Sequence, residues 1–193
     1  MVNNFELIKS ILQFRSEDDF YHLQIIKRKK ENPEIGSNSY VIKTYYITSE
    51  SHLEKLFPEI VNLCEFNNAR ACINLNRRSF ERIAFHVLKK VTDQIMNKDF
   101  KSARKAYESV CGEYSADPEK KWIIDIDNFD EIFDREVQMY IASLQPIGAK
   151  VIANIPTKHG HHLICSPFRL DEFKQKYSEL DIHKDNPTIL YIP

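Results

Sequence analysis

The sequence predicts an α+β protein in which an N-terminal αβ lobe is followed by a smaller lobe built on its own sheet. Its 193 residues are 42% hydrophobic and 28% charged, which suits one globular unit with a real core. Hydrophobic spacing switches repeatedly between helical and strand periods along the chain. Only four glycines occur and no Gly/Ser-rich linker interrupts the sequence, so we expect the two lobes to form one compact unit.

The N-terminal lobe is assigned to residues 1–118, and Pro118 lies in the segment that ends it. Its two strands are joined by a long charged hairpin, where the basic run 27–30 favours a solvated loop, with contact to a nucleic-acid backbone as the second interpretation. The predicted elements are a helix over Phe5–Phe14, strands over Phe20–Lys27 and Tyr40–Ile47, a helix over Ser49–Phe66, a strand over Arg70–Leu75, and helices over Ser79–Asp93 and Phe100–Val110.

Residues 119–193 show the order βαββαβ. The predicted elements are Trp122–Asp127 (strand), Phe129–Leu144 (helix), Lys150–Ile155 and His161–Cys165 (strands), Asp171–Tyr177 (helix) and Asp181–Lys184 (strand). This order matches the ferredoxin-like or split βαβ unit, in which the first and third strands are central and the fourth flanks the first. His161–Cys165 should therefore pair antiparallel with Trp122–Asp127. A further run, Thr188–Ile192, is expected to extend this sheet at an edge.

Two carboxylates close the first strand of this unit. Asp125 and Asp127 are two residues apart, so they share one face of the strand, and their like charges repel. A divalent cation such as Mg²⁺ or Mn²⁺ removes that cost because carboxylate oxygens are hard ligands. The alternative is a solvated strand end at which Asp127-Asn128 opens a turn or caps the next helix.

The segment 156–164 places a hydroxyl, an ammonium and three imidazoles at the start of another strand. Thr157 and Lys158 precede Gly160, which permits a positive φ or a close approach. His162 shares a strand face with Gly160, where it could contact a triphosphate. A solvated hairpin turn is the alternative, whereas a transition-metal cluster is disfavoured because His161 and His162 face opposite sides of the strand.

Two weaker candidates lie elsewhere in the sequence. Asp185 follows the strand expected to flank the Asp-x-Asp strand, so it could complete a three-carboxylate metal site, although Asp-Asn-Pro is also an ordinary turn. Arg77, Arg78 and Arg82 cluster where a strand gives way to a helix capped by Ser79. Helix N-termini and guanidinium groups suit phosphate, so these arginines are candidate nucleic-acid contacts. Arginines on a solvated loop and helix surface are the alternative.

Composition limits the classes of partner. Lys plus Arg number 27 against 28 Asp plus Glu, so a net charge of −1 gives no global attraction to nucleic acid or membrane, and any polyanion site must be local. No run approaches the roughly 18 apolar residues of a membrane helix, and no signal-peptide pattern opens the sequence. We expect no membrane partner and a cytoplasmic location. The four cysteines lack Cys-x-x-Cys spacing, so we expect them to be reduced and mostly in the core.

Together, these motifs resemble the archaeo-eukaryotic primase superfamily, whose members have an N-terminal αβ lobe and an RRM-like palm. The likeness rests on the Asp-x-Asp strand, the Gly-x-His strand and a later Asp. It implies that Asp125, Asp127 and Asp185 bind Mg²⁺ or Mn²⁺, that His162 contacts the nucleotide, and that Thr157 and Lys158 face the triphosphate. The small size and the run Gly160–Phe168 look more like phage or mobile-element versions than like cellular primases.

The resemblance implies nucleotidyl transfer, in which primers are made or extended on a single-stranded template from nucleoside triphosphates, with a helicase or another replication protein as a further partner. Two alternatives stay open. One is a non-catalytic RRM-like module that binds nucleic acid or a protein. The other is a replication-initiator-type nuclease with Tyr177 as the nucleophile, although the His-Gly-His-His run does not match the pattern of two histidines around a hydrophobic residue.

Overall fold

A computed structural model describes residues 1–115, 117–127 and 130–193. Within these ranges the chain is a mixed α+β protein with seven helices and two antiparallel sheets. In the same ranges, no helix is both long enough and apolar enough to cross a bilayer. One sheet is built mainly from strands before residue 118, and the other is built from strands after it.

The first sheet has the spatial order β1-β10-β4-β2-β3, with β5 beside β2. The elements of the N-terminal part are β1 (Val2–Asn3), α1 (Phe5–Ile11), β2 (Asp19–Arg28), β3 (Ser39–Ile47), α2 (Glu50–Asn67), β4 (Arg70–Asn74), β5 (Arg78–Ser79), α3 (Phe80–Met96), α4 (Phe100–Ala103) and α5 (Ala106–Glu113). Ser49 and Ser79 cap α2 and α3, because each hydroxyl accepts a hydrogen bond from the amide three residues later.

The second sheet has the spatial order β7-β8-β6-β9. The elements are β6 (Trp122–Asp127), α6 (Glu131–Ser143), β7 (Val151–Pro156), β8 (Gly160–Cys165), α7 (Leu170–Lys176) and β9 (Asp181–His183), followed by β10 (Pro187–Ile192). The predicted strand order and the antiparallel pairing of β6 with β8 are confirmed. The expected start of the first helix of this unit, Phe129, lies outside the described residues, and α6 itself begins at Glu131 behind the capping carboxylate of Asp130.

The final strand occupies a different place from the one that the sequence predicted. β10 does not extend the second sheet at an edge; it crosses to the first sheet and pairs with both β1 and β4. Every residue from Thr188 to Ile192 is buried. A strand that is apolar on both faces suits an interior position rather than an edge, which explains the difference. The division between the sheets therefore does not coincide with the division of the sequence at residue 118.

The two faces of the second sheet have different neighbours. On one face, the side chains of Ile124, Ile126 and Leu163 form a core with α6 and α7. On the other face, Ile123 and Ile164 join the core of the first sheet. Because side chains alternate along a strand, the carboxylates of β6 and the second histidine of β8 lie on the face that is directed toward the N-terminal lobe.

Gly160 allows β6 and β8 to approach each other closely. It pairs with Asp127 across the two strands, and a Cβ built on it would lie 1.9 Å from the carbonyl oxygen of Ile126. The sequence left open whether this glycine serves a positive φ or a close approach, and the structure shows a close approach to the neighbouring strand. Any larger residue would push the two strands apart at the end that bears the carboxylates.

The substitution Gly160→Ala should therefore destabilise the protein. We expect a loss of about 1–3 kcal/mol in the free energy of unfolding, as for overpacked sites, measured by urea unfolding. The matched control is Gly112→Ala in α5, where the added methyl meets no atom within 4 Å and alanine favours the helix, so stability should hold or rise. Equal effects of the two substitutions would contradict the close approach.

Candidate functional site

A cleft of about 740 Å³ lies between the two sheets. Its lining combines residues from the second sheet and the turn before β8 with residues from the N-terminal lobe. The charged and imidazole side chains that line it are Arg28, Lys30, Glu31, Arg70, Asp125, Asp127, Lys158, His159, His162 and His183. Five of the residues singled out from sequence are among the lining residues, namely Asp125, Asp127, Thr157, Lys158 and His162. The cleft is therefore the candidate site.

The centre of this site is the pair formed by Asp125 and His162. The two residues are direct partners across β6 and β8, and Nε2 of His162 lies 3.6 Å from Oδ1 of Asp125. The other ring nitrogen, Nδ1, is 2.8 Å from the hydroxyl oxygen of Thr188. Thr188 belongs to β10, so this contact joins the two sheets and fixes the orientation of the imidazole.

The pKa of His162 is lowered, chiefly because the ring is buried; the carboxylate of Asp125 opposes this shift, while the nearby Arg70 adds to it. A lowered pKa means that the imidazole is neutral at physiological pH. A neutral ring can donate one hydrogen bond and accept another. Nδ1 is within hydrogen-bond distance of the Thr188 hydroxyl, whereas Nε2, at 3.6 Å from Asp125, is not hydrogen-bonded to that carboxylate.

The turn between β7 and β8 presents the other predicted nucleotide contacts. The backbone amide of Thr157 donates to the carbonyl of Gly160, and the amide of Gly160 donates to the hydroxyl of Thr157 at 3.2 Å. These bonds fix a tight turn that exposes Lys158 and His159 at the cleft. The hydroxyl of Thr157 thus helps to hold the turn, while the ammonium of Lys158 is available to a ligand.

Asp185 does not join the other two carboxylates, so the expected three-carboxylate site is not formed. Its two oxygens instead accept hydrogen bonds from Nη1 and Nη2 of Arg78, at 3.1 and 3.0 Å. The physical reason is strand direction. Because β9 runs antiparallel to β6, its first residue, Asp181, pairs with Asp125, whereas the residues after β9 lie toward the opposite end of β6.

Asp181 is thus the acidic residue that sequence reasoning missed at this position. It is exposed and lies directly across from Asp125 on the same face of the sheet. Asp181 could have been found from the antiparallel pairing of β9 with β6, because this pairing places the start of β9 beside the end of β6. Within residues 1–115, 117–127 and 130–193, however, no three His, Cys, Asp or Glu side chains are arranged so that they could hold a metal ion together.

The arginines predicted to contact nucleic acid have a structural role in two of three cases. Arg77 is 6% exposed and ion-paired with Asp19 at 3.1 Å and with Asp117 at 3.6 Å. Arg78 is fully buried and bound to Asp185. Arg77 and Arg78 are therefore not available for the predicted contact, because carboxylates of the same chain already engage their buried guanidinium groups. Only Arg82, on the first turn of α3, is exposed.

The N-terminal wall of the cleft carries different cations. Arg28 is the last residue of β2 and Lys30 follows it; both are exposed, as favoured for the basic run. They also line the cleft together with Arg70 at the start of β4. The basic run 27–30 was only a weak indication of a ligand site, because the sequence alone did not show whether its side chains face the cleft. A strand pairing between β2 and β4 brings Arg70 beside this run.

Tyr177, the nucleophile of the nuclease alternative, lies far from this arrangement in the fold. Its side chain is 5% exposed and belongs to the core between the second sheet and its helices, on the face opposite to Asp125. An edge-to-face contact with Phe133 and another with Tyr140 hold the ring there. A buried phenol on the wrong face does not support that alternative.

Comparisons with protein-family models, with curated proteins and with solved structures found no significant match to this chain. The function therefore has to be inferred from the geometry of the cleft.

If Arg78 is structural, its replacement should destabilise the fold. Arg78→Met leaves Asp185 without its ion-pair partner and buries no compensating charge, so we expect a loss of about 3 kcal/mol in the free energy of unfolding. Arg82→Met is the matched control and should change stability by less than about 0.5 kcal/mol, because this side chain is exposed. Chemical unfolding of both variants measures these changes in the free energy of unfolding. An Arg78→Met protein as stable as the wild type would contradict the structural role of Arg78.

His22 should make stability depend on pH. It is 3% exposed in β2 and its Nδ1 lies 3.3 Å from Oδ1 of Asn74, while burial lowers its pKa to about 4. The unfolded chain binds this proton near pH 6.5, so stability should fall as pH drops from about 6.5 to about 4, by on the order of 3 kcal/mol.

The variant His22→Gln removes this titration. Urea unfolding between pH 4 and 7.5 should show a shallower loss of stability on acidification for the variant than for the wild type. Parallel curves would contradict the assignment of this pH dependence to His22.

Proposed function

We propose that this protein is a metal-dependent nucleotidyltransferase of the primase or primase-polymerase type, which makes or extends primers on a single-stranded template. One observation carries the proposal. Asp125, Asp127 and His162 lie on one face of two adjacent central strands, and this face opens into a cleft whose other wall is basic. Paired carboxylates beside cationic groups suit a reaction between polyanions.

The arrangement of the second sheet supports the same interpretation. Its strand order, with β6 and β8 central and β9 beside β6, is the order expected of an RRM-like palm. Its helices contribute to the core on the face away from the cleft. In a palm of this kind the open face carries the reacting groups, so the position of the carboxylates agrees with the proposed role.

The two carboxylates fit a divalent cation. Mg²⁺ is commonly held by one or two carboxylates together with water and the phosphates of a substrate, so a third protein ligand is not required. Asp125 and Asp127 would hold the ion, and their mutual repulsion is the cost that it removes. When bound, Mg²⁺ or Mn²⁺ would supply charge neutralisation at the reacting phosphate and would lower the pKa of the attacking hydroxyl.

The nucleotide would lie against the turn between β7 and β8. The ammonium of Lys158 would bind the triphosphate, with His159 at the rim of the cleft beside it. The neutral imidazole of His162, held by Thr188, would donate a hydrogen bond to a phosphate oxygen or to the sugar. These residues bind and orient the substrate, which is the main contribution of a protein to phosphoryl transfer.

The reaction itself is a substitution at phosphorus. The 3′-oxygen of the growing strand forms a bond to the α-phosphorus of the nucleoside triphosphate, and the bond from that phosphorus to the bridging oxygen breaks. Pyrophosphate leaves with the bonding electron pair, and the proton of the 3′-hydroxyl passes to water. The protein forms no covalent bond in this sequence of events.

The direct test is incubation with a single-stranded template, with and without a primer, in the presence of NTPs or dNTPs and Mg²⁺ or Mn²⁺. Wild-type protein should form extended product, and Asp125→Asn and Asp127→Asn should each reduce the rate at least about 100-fold, since the charge stabilisation lost is worth several kcal/mol. Asp93→Asn, an exposed acid on α3, is the matched control and should retain the rate.

Failure of the wild type to form any product would contradict the proposal. If single-stranded nucleic acid nevertheless bound, and bound equally well to the Asp125→Asn and Asp127→Asn variants without any dependence on divalent ions, the chain would be the non-catalytic binding module instead.

A further inference from the structure

The N-terminal wall of the cleft holds more positive charge than its own carboxylates balance. Arg28, Lys30 and Arg70 line this wall, and Glu31 is the acidic residue of the N-terminal lobe that lines it with them. Glu31 is ion-paired with Arg70. Within the described ranges, neither Arg28 nor Lys30 has an ion-pair partner. Three cations against one carboxylate leave a local excess of two positive charges in a chain whose net charge is −1.

Arg70 is the least exposed of the three cations. Its side chain is 13% exposed, and its Nε is buried without a hydrogen-bond partner in the described part of the chain. A buried donor left without a partner is costly, so such a group marks a place where a ligand can complete the hydrogen bonding. The guanidinium offers a planar fork of donors, which matches the oxygens of a phosphate group.

The positions of the cations relative to each other strengthen this interpretation. Arg70 pairs with Ile26 across β4 and β2, so it lies two strand positions from Arg28, and the side chains of both arginines line the same cleft. Repulsion between fixed cations is relieved when an anion binds between them.

The basic segment is held in place by the fold. Asn32, which is 4% exposed, donates a hydrogen bond from its side chain to the carbonyl of Asn68 at 3.0 Å, and its amide oxygen accepts one from the side chain of Asn68 at 3.3 Å. The backbone amide of Lys29 donates a hydrogen bond to the carbonyl oxygen of Asn38 at 3.0 Å. This bond continues the pairing of β2 with β3 beyond the ends of the two strands. The backbone that carries Arg28 and Lys30 is therefore held in place, so binding requires little ordering of the main chain.

We propose that Arg28, Lys30 and Arg70 form a phosphate-binding site on the N-terminal wall of the cleft, opposite the carboxylates of β6. The site deepens the proposed function, and its place in catalysis rests on that function, although phosphate binding itself does not. Phosphate groups could come from two sources, namely the backbone of a single-stranded nucleic acid or the polyphosphate of a nucleotide. Both present the same oxygens to the same donors, and only a binding experiment distinguishes them.

The experiment compares three proteins, namely the wild type, the double variant Arg28→Ala/Lys30→Ala, and the control Lys29→Ala. Lys29 lies between the two mutated residues in the sequence and is exposed, but it does not line the cleft. The probes are a 12-nucleotide oligothymidylate, followed by fluorescence anisotropy at several salt concentrations, and inorganic tripolyphosphate, followed by calorimetry. All measurements are made without divalent metal, so that binding does not depend on Asp125 and Asp127.

We expect the double variant to bind at least one of the two probes about tenfold more weakly or worse, while Lys29→Ala binds like the wild type. If the oligonucleotide is the affected probe, the slope of log K against log salt should fall in magnitude by about 1.4, which corresponds to two lost phosphate contacts on a single strand. A loss confined to tripolyphosphate would assign the site to the nucleotide. Unchanged binding of both probes, or an equal loss in Lys29→Ala, would overturn the proposal.

The variant Arg70→Lys tests the buried guanidinium separately. Lysine keeps the charge beside Glu31 but lacks the planar fork, so we expect weaker binding of the affected probe while the cooperative unfolding transition is retained. Wild-type affinity in a folded Arg70→Lys protein would exclude a role for the guanidinium.

This result and the result for the proposed function can be separated. Phosphate binding that depends on Arg28 and Lys30, in a protein that forms no extension product, would support this site and reject the enzyme. Extension by the wild type, together with unchanged binding by the double variant, would support the enzyme and reject this site.

Discussion

The antiparallel register of β6 against β8 is the constraint on which the candidate site depends. It pairs Asp125 with His162 and Asp127 with Gly160, so that both carboxylates and the imidazole lie on one face. The close approach at Gly160 maintains this register at the end of the strands where the carboxylates lie. A shift of β8 by one residue would turn His162 toward the helices on the opposite face, away from the carboxylates of β6, and the site could not form.

The second sheet contacts the N-terminal lobe through buried hydrogen bonds as well as through a shared apolar core. Thr188 belongs to β10 in the first sheet and is fully buried, and it is the partner of His162. Asn4 donates hydrogen bonds both to the carbonyl of Pro156 and to that of Ile189. The first contact joins the two sheets directly, and Asn4 bridges them from the segment between β1 and α1. The cleft is thus bounded by walls whose relative position is fixed by hydrogen bonds and by a shared core, and this matches the needs of a site that orients two polyanionic substrates.

Much of the fold could be predicted from hydrophobic periodicity and from connection rules, since the βαββαβ order led directly to the central pairing of β6 with β8. The place of β10 could not, because a short apolar strand carries no information about which sheet it joins. For the site, the spacing of Asp125 and Asp127 located the carboxylate face. Asp185 was misjudged because the direction of β9 was not taken into account. Arg77 and Arg78 were misjudged because a sequence does not show which arginines are buried and paired with carboxylates of the same chain.

The central claim, that Asp125 and Asp127 hold a divalent ion beside a bound nucleotide, is tested most directly by anomalous diffraction from crystals grown with Mn²⁺ and a non-hydrolysable nucleoside triphosphate. The account predicts a manganese peak within about 2.5 Å of oxygens of both carboxylates, with the phosphates of the nucleotide next to Lys158 and His162. The absence of manganese from this face, with the nucleotide bound elsewhere or not at all, would contradict it.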